Sequence, residues 1–393
     1  MSSGTLAHRG LAEPDEAWLQ LGFACNWGPD RAATWSGTPW NLRRALHGRV
    51  ALVDLDVSPS RVARFGWKAA YARPGPDRHS AWKHSMLWSH AVSRRLGRSL
   101  RDTQCDAVIE IGDLAAVDRP FFVFQDLSFD VLIDRLGTDR FVPHFRGLDH
   151  GQLSRLRDRQ HRIYEQAAGV LAMSRWLATQ LVDQTGLPAH KVHIVHPGIS
   201  TPALPIHDRP IERRRRKLLF VGRDFHTKAG DLVVRSLALA RRSRPDLTLT
   251  VCGPTRWPLD GSVPAGVRFL GPVPTEAMPD LYDRHDLLVM PSRLEGFGIV
   301  FAEALARGLP CIGRDDFAMS EVIRPRENGD LVTSDDPGEL AERILATLSD
   351  TALYARCRME RAEVHRHFSW ERAADDTLAA VRTTLGIEDH FRG

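Results

Sequence analysis

Short apolar runs recur along the chain, each closed by a turn-forming or polar residue and followed by a stretch with helical spacing of its apolar positions. Runs at 18–24, 49–54, 106–111, 121–126, 169–173 and 192–196 predict buried strands, and a second series follows at 217–222, 247–253, 267–273 and 286–291. Helices are predicted between them: one capped by Thr38 with Pro39 in its first turn, one from Ser174 to about Gln184, one ending near Arg242, and one over 299–307 stopped by Gly308 and Pro310. Strand and helix in alternation argue for an α/β fold built on doubly wound parallel sheets.

Residues 201–216 break the alternation. Pro202, Pro205 and Pro210 and a basic run into Lys217 leave no apolar period there, which predicts an interdomain linker. The expected organisation is a disordered start (1–17), a Rossmann-like domain (18–200), the linker (201–216), a second Rossmann-like domain (217–367) and a closing helical segment (368–393). A length of 393 residues suits two domains of ordinary size.

Composition narrows the class. The chain is 43% hydrophobic and 26% charged, as soluble globular proteins are, with no long apolar span and no apolar leader, so a cytoplasmic location is expected. Cys25, Cys105, Cys252, Cys311 and Cys357 are widely spaced with no C-x-x-C, which points to neither a disulfide framework nor a zinc site. Net charge is +4, yet arginines cluster at 43–44, 94–95, 213–216 and 241–242. Such clusters suit solvated faces, or contacts with anionic lipid or phosphorylated substrates; no nucleic-acid motif accompanies them. Between Gly66 and Leu100, Trp67, Trp82 and Trp88 lie among lysines and arginines, and Trp82, Trp88 and Leu96 share no single helical stripe, which leaves core packing and a peripheral membrane contact both open.

The candidate chemistry centres on residues 293–308. Glu295 lies at or before a helix N-terminus with Gly296 and Gly298, and Glu303 would lie roughly 12 Å further along if both were helical. Unpaired amides and the helix dipole favour an anion there. Two carboxylates flanking an anion are better suited to accept hydrogen bonds from neutral hydroxyls on either side. A nucleoside diphosphate sugar has that layout. The plainer reading is a solvated loop residue and a paired structural acid.

Glu295 to Glu303 is an E-x7-E arrangement, and the segment resembles the signature of the retaining, nucleotide-sugar-dependent glycosyltransferases of the family-four type, with the GT-B fold. Gly222-Arg223-x4-Lys228, with Ala229 before Gly230, is similar to that family's diphosphate loop. The resemblance implies a hexosyltransferase that moves a sugar from a UDP-, GDP- or similar donor to an acceptor hydroxyl with retention. It implies that Glu295 reads the donor sugar, Glu303 the ribose, and Arg223 and Lys228 the diphosphate. The amides of Gly296, Phe297 and Gly298 complete that grip, Gly37 stands in the N-terminal glycine-rich loop and Val273 lies beside the base. Many relatives carry a histidine at the end of the fourth strand; Gln125-Asp126 stands there instead, and Asp126 is the nearest polar candidate for a catalytic role. No cofactor or metal is implied for the chemical step, although Asp54-Leu55-Asp56 imitates a metal-binding D-x-D. The acceptor, a glycan, a lipid-linked sugar or a small natural product, is left open. So are a GT-B epimerase, a glycan phosphorylase and a non-catalytic membrane-associated protein.

Overall fold

The structure, a computed structural model, describes residues 19–71, 81–135, 148–200 and 214–387. The expected disordered start and most of the expected linker lie outside them.

Two six-stranded, all-parallel sheets organise the chain. The first contains β1 (Gln20–Cys25), β2 (Ala51–Asp56), β3 (Ala107–Ile111), β4 (Phe121–Gln125), β5 (Gly169–Ala172) and β6 (Val192–Ile194), in the order β2-β1-β3-β4-β5-β6. The second contains β7 (Lys217–Val221), β8 (Thr248–Cys252), β9 (Val267–Gly271), β10 (Leu287–Val289), β11 (Cys311–Arg314) and β12 (Gly329–Val332), in the order β12-β11-β10-β7-β8-β9. The central strands β3, β4 and β5 are buried at every position, as uninterrupted apolar runs require when helices cover both faces.

Strand order reverses between β1 and β3 in the first sheet and between β7 and β10 in the second. Loops leaving the carboxyl ends of strands at such switch points form crevices that hold ligands. The loops after β7 and β10 are those that carry Arg223, Lys228 and Glu295.

Several local expectations shift. The second strand begins at Ala51 rather than Arg49, in register with β1 (Gln20 opposite Ala51), and so contains Asp54 and Asp56. Both carboxylates are engaged by arginines: Arg43 chelates Asp54 at 2.5 and 2.7 Å, and Arg31 reaches Asp56 at 2.8 Å. Thr38 does not cap α1 (Thr38–Leu46); it is the first helical residue, and Gly37 at φ +84° is the N-cap. Trp35 and Ser36 precede it at φ +46° and +56°, so the chain enters α1 through three consecutive left-handed residues, two of them conformations that side chains disfavour.

The helix α13 (Trp370–Leu385) lies on the first domain, packed on α1 and β5. The Arg372 guanidinium donates to the His196 carbonyl at 2.6 Å, and the Ile199 amide to the Phe368 carbonyl at 2.8 Å. A second link crosses the cleft. Glu321 of α10 (Met319–Val322) accepts the Arg175 amide at 2.9 Å and the Trp176 amide, the opening amides of α6 (Arg175–Asp183), and His196 Nε2 lies 3.3 Å away. Beside it, Trp176 packs on Phe317 at 4.9 Å and Arg135 pairs with Asp316 at 3.1 Å. A carboxylate from one domain therefore serves a helix N-terminus of the other. Losing such an acceptor costs about 1–2 kcal/mol, so Glu321→Ala is expected to shift the closed arrangement toward an open one by roughly 5- to 30-fold. Small-angle scattering checks this: an unchanged radius of gyration would contradict the link.

Candidate active site

Glu295 sits in the loop between β10 and α9 (Ile299–Ala306), and hydrogen bonds through Arg293 and Arg314 fix that loop. The Arg293 amide donates to the Thr227 carbonyl at 2.8 Å, tying it to the loop after β7. The Arg293 guanidinium holds both Asp231 oxygens at 2.7 and 3.0 Å and Asp335 at 2.7 Å. Arg314, only 1% exposed, donates from Nε to the Ser292 carbonyl at 3.1 Å and from Nη2 to the Pro291 carbonyl at 3.2 Å and to Asp335. Despite its partial desolvation, the Asp335 carboxyl is held below the usual range by Arg293 and Arg314.

On this frame Glu295 is buried. Its Oε2 accepts from Lys228 Nζ at 2.8 Å and from Ser292 Oγ at 3.2 Å. Gly222 makes room for the lysine: a Cβ there would lie 2.8 Å from Lys228 Cγ. Gly298, at φ +81°, is the N-cap of α9, and no side chain caps that helix. Its first-turn amides therefore face the loop with the dipole behind them.

The opposite wall comes from β4. Gln125 turns inward, donating to the Tyr164 hydroxyl, while Asp126 faces the cleft. The close approach of the walls explains Gly296: a Cβ there would lie 2.1 Å from Asp126 Oδ2. Desolvation, then the charge of Glu295, pushes the Asp126 carboxyl up to about 6, against a hydrogen bond from Trp35 and the charge of Lys228. A carboxyl whose folded pKa lies above its unfolded 3.8 stabilises the fold fully below that value and loses the contribution as pH rises through about 6. Asp126→Asn is thus expected to raise stability at about pH 8 by on the order of 2 kcal/mol and to change it little near pH 4. Thermal melting at both pH values checks this, and equal shifts at the two would contradict it.

Together these groups line a cavity of about 460 Å³ between the domains, with Asp126 on one side and Lys228, Glu295, Gly296, Phe297 and Gly298 on the other. A second cavity, of about 390 Å³, opens at the first sheet's switch point; Asn26, Lys83, Gly112 and Arg159 line it. Trp35, His84, Asp113 and Phe129 line both, so the two adjoin. His84 escaped the sequence reading; nothing in its local pattern marks it, and the short turn at 81–84 brings it to the cleft.

Other expected site residues lie outside the lining of the first cavity. Arg223 is exposed on the rim and makes no hydrogen bond or ion pair among the described residues. Val273 is half-buried after β9, and Gly37 sits behind Trp35 and Ser36. Glu303 is buried on α9 and accepts the Tyr282 hydroxyl at 2.8 Å. Since Glu295 precedes the helix, the two acids do not share a helical face.

Residues 206–363 match the family described as glycosyl transferases group 1. A D-inositol 3-phosphate glycosyltransferase from Salinispora arenicola is 30% identical over 248 residues, 56% of this chain and 55% of that protein. The chain thus spans about half the length of the curated relatives it matches. The structure is similar to sucrose-phosphate synthase from Thermosynechococcus elongatus (TM-score 0.68, 17% identity, 94% of this chain and 100% of that one). It is also similar to Anabaena HepE in complex with UDP-glucose (TM-score 0.62, 15% identity, 93% and 100%). The architecture is therefore the GT-B fold, with two Rossmann-like domains facing each other.

Proposed function

We propose that the protein transfers a glycosyl group from a nucleoside diphosphate sugar to an acceptor hydroxyl, with retention of configuration. The observation that carries this reading is the Lys228–Glu295 pair beside the uncapped N-terminus of α9, at the switch point of the group 1 domain, with Asp126 facing it. The relatives' names support the class: one acts on an inositol phosphate, and HepE is seen with UDP-glucose.

In this mechanism the diphosphate docks on the α9 amides and Lys228, with Arg223 supplying a second cation from the rim. Glu295 accepts hydroxyls of the donor sugar, and Glu303 and Val273 serve the nucleoside. The bond from the anomeric carbon to the phosphate oxygen breaks with oxocarbenium character. Negative charge grows on the leaving diphosphate, so these cations and amides bind the transition state more tightly than the ground state, and no metal takes part in the chemical step. The acceptor oxygen attacks from the same face, and its proton passes to a diphosphate oxygen. Asp126 orients that hydroxyl across the seam from Gly296. The acceptor, a glycan, a lipid-linked sugar or a small natural product, occupies the cavity lined by Lys83 and Arg159.

A panel of nucleoside diphosphate sugars tests this by thermal stabilisation, since a ligand at 100 times its dissociation constant adds about 2.7 kcal/mol. The stabilising donor is then incubated with candidate acceptors and the anomeric configuration of the product read by NMR. A panel in which none stabilises, or a product that is an epimerised nucleotide sugar, would sink the reading.

A further inference from the structure

The segment that carries the anion-site amides is held by packing rather than by its own backbone. The amides of Gly296, Phe297 and Gly298 donate to nothing among the described residues. Between the two glycines only Phe297 has a side chain to pack, and it is 3% exposed. Its ring meets His196 and Phe368 at 5.8 Å each, within the range of aromatic contact, and His196 meets Phe368 at 6.2 Å.

His196 is itself held firmly on the first domain. It follows β6, where the Val195 amide donates to the Ala172 carbonyl at 2.8 Å, and Pro197 restricts the residue before it to extended backbone. The Arg372 guanidinium holds the His196 carbonyl at 2.6 Å. Gly198 is pressed against the returning segment: a Cβ there would lie 2.5 Å from the Trp370 amide nitrogen. The imidazole is buried, with Nε2 3.3 Å from Glu321 Oε2, the oxygen that also accepts the Arg175 amide. Desolvation pushes the Glu321 carboxyl up, but the hydrogen bonds of His196 and of the Trp176 and Arg175 amides outweigh it and hold that carboxyl below the usual range. One imidazole therefore joins the end of β6, α10 of the second domain and the loop before α9.

The same loop touches the first domain again at Gly296, which abuts Asp126. Both contacts exist only while the domains are apposed. We infer that His196 is a positioning residue for the anion site: its ring, fixed on the first domain, sets where Phe297 lies and so aims the amides of Gly296, Phe297 and Gly298. Apposition of the domains then assembles the site rather than merely covering it. That the anion is the diphosphate of a sugar nucleotide rests on the proposed transferase reading; the positioning does not.

Calorimetric titration of the full chain with inorganic pyrophosphate tests the positioning without sugar, nucleoside or acceptor. The parent should bind it, and His196→Ala should weaken binding by roughly 10- to 100-fold, the scale of one hydrogen bond to a charged group. His196→Phe keeps a ring against Phe297 but loses the bond to Glu321, and it should recover most of the affinity. His196→Gln keeps a donor for Glu321 but loses the ring, and it should stay as weak as His196→Ala. Phe297→Leu should weaken binding to a similar extent and add little to His196→Ala, because the two act through one contact. With a stabilising donor and its acceptor, His196→Ala should lower kcat and leave KM for the acceptor at the parental value. Melting curves accompany each titration, and the comparison of His196→Phe with His196→Gln decides even where His196→Ala melts early. No pyrophosphate binding by the parent, parental affinity in His196→Ala, or recovery by His196→Gln and not by His196→Phe would overturn the inference. The last would confine His196 to the link with Glu321. Pyrophosphate binding that responds to His196 while no nucleoside diphosphate sugar stabilises the chain would leave this inference standing and the transferase reading fallen.

Discussion

Lys228→Ala is expected to lower kcat by roughly 10²–10³, the scale for removing a single donor aimed at charge that develops in the transition state. Among the described residues, Lys228 is the one lysine or arginine that both lines the cleft cavity and touches Glu295, at 2.8 Å. In the proposed mechanism the ion pair neutralises each partner before donor binds; when diphosphate arrives, the ammonium gains a stronger acceptor and Glu295 is released toward the sugar. The two residues are therefore coupled. A double-mutant cycle with Glu295→Gln should be clearly non-additive, because residues in one ion pair do not act independently. Measuring kcat and KM separately is decisive: a loss confined to KM would mean that Lys228 holds the donor equally well before and during bond cleavage. Arg223→Ala, from the exposed rim, should cost less than Lys228→Ala.

The largest stability effect is expected at Arg314. Leaving a buried acceptor without its donor costs about 1–3 kcal/mol, and Arg314→Ala deletes the donors to two buried carbonyls, those of Pro291 and Ser292, together with the contact to Asp335. Arg314→Lys should recover only part of this, since an ammonium cannot reproduce the planar fork. Urea unfolding of the parent and both variants reads the effect directly. Because Arg314 supports the loop before Glu295, nucleotide-sugar affinity should fall alongside stability. A variant with parental stability and affinity would show that the loop is held by Arg293 alone.

The architecture was legible because continuous apolar runs can satisfy their backbone only as covered strands, and the runs map onto the sheets to within a few residues. The second strand runs on through the acidic triplet that imitates a metal site; pairing with Arg43 and Arg31 lets Asp54 and Asp56 stay within β2. Thr38 was a reasonable cap by residue type, but the left-handed entry through Trp35, Ser36 and Gly37 is set by tertiary contacts, including the Trp35 hydrogen bond to Asp126. At the cleft, Lys228, Glu295 and the two glycines stand in local motifs, and the fold brings them to one cavity. Arg314, Asp335 and Glu321 were not legible in this way, because each acts on backbone far away in sequence.

The contact between Gly296 and Asp126 has a bearing on product distribution. The floor of the cleft is a seam between two domains, closed at a spot where not even a methyl group fits. On the proposed transferase reading, a side chain at position 296 would push the two walls apart and let solvent reach the anomeric carbon. Gly296→Ala is therefore expected to raise hydrolysis of the donor relative to transfer, which the ratio of free sugar to glycosylated acceptor reads.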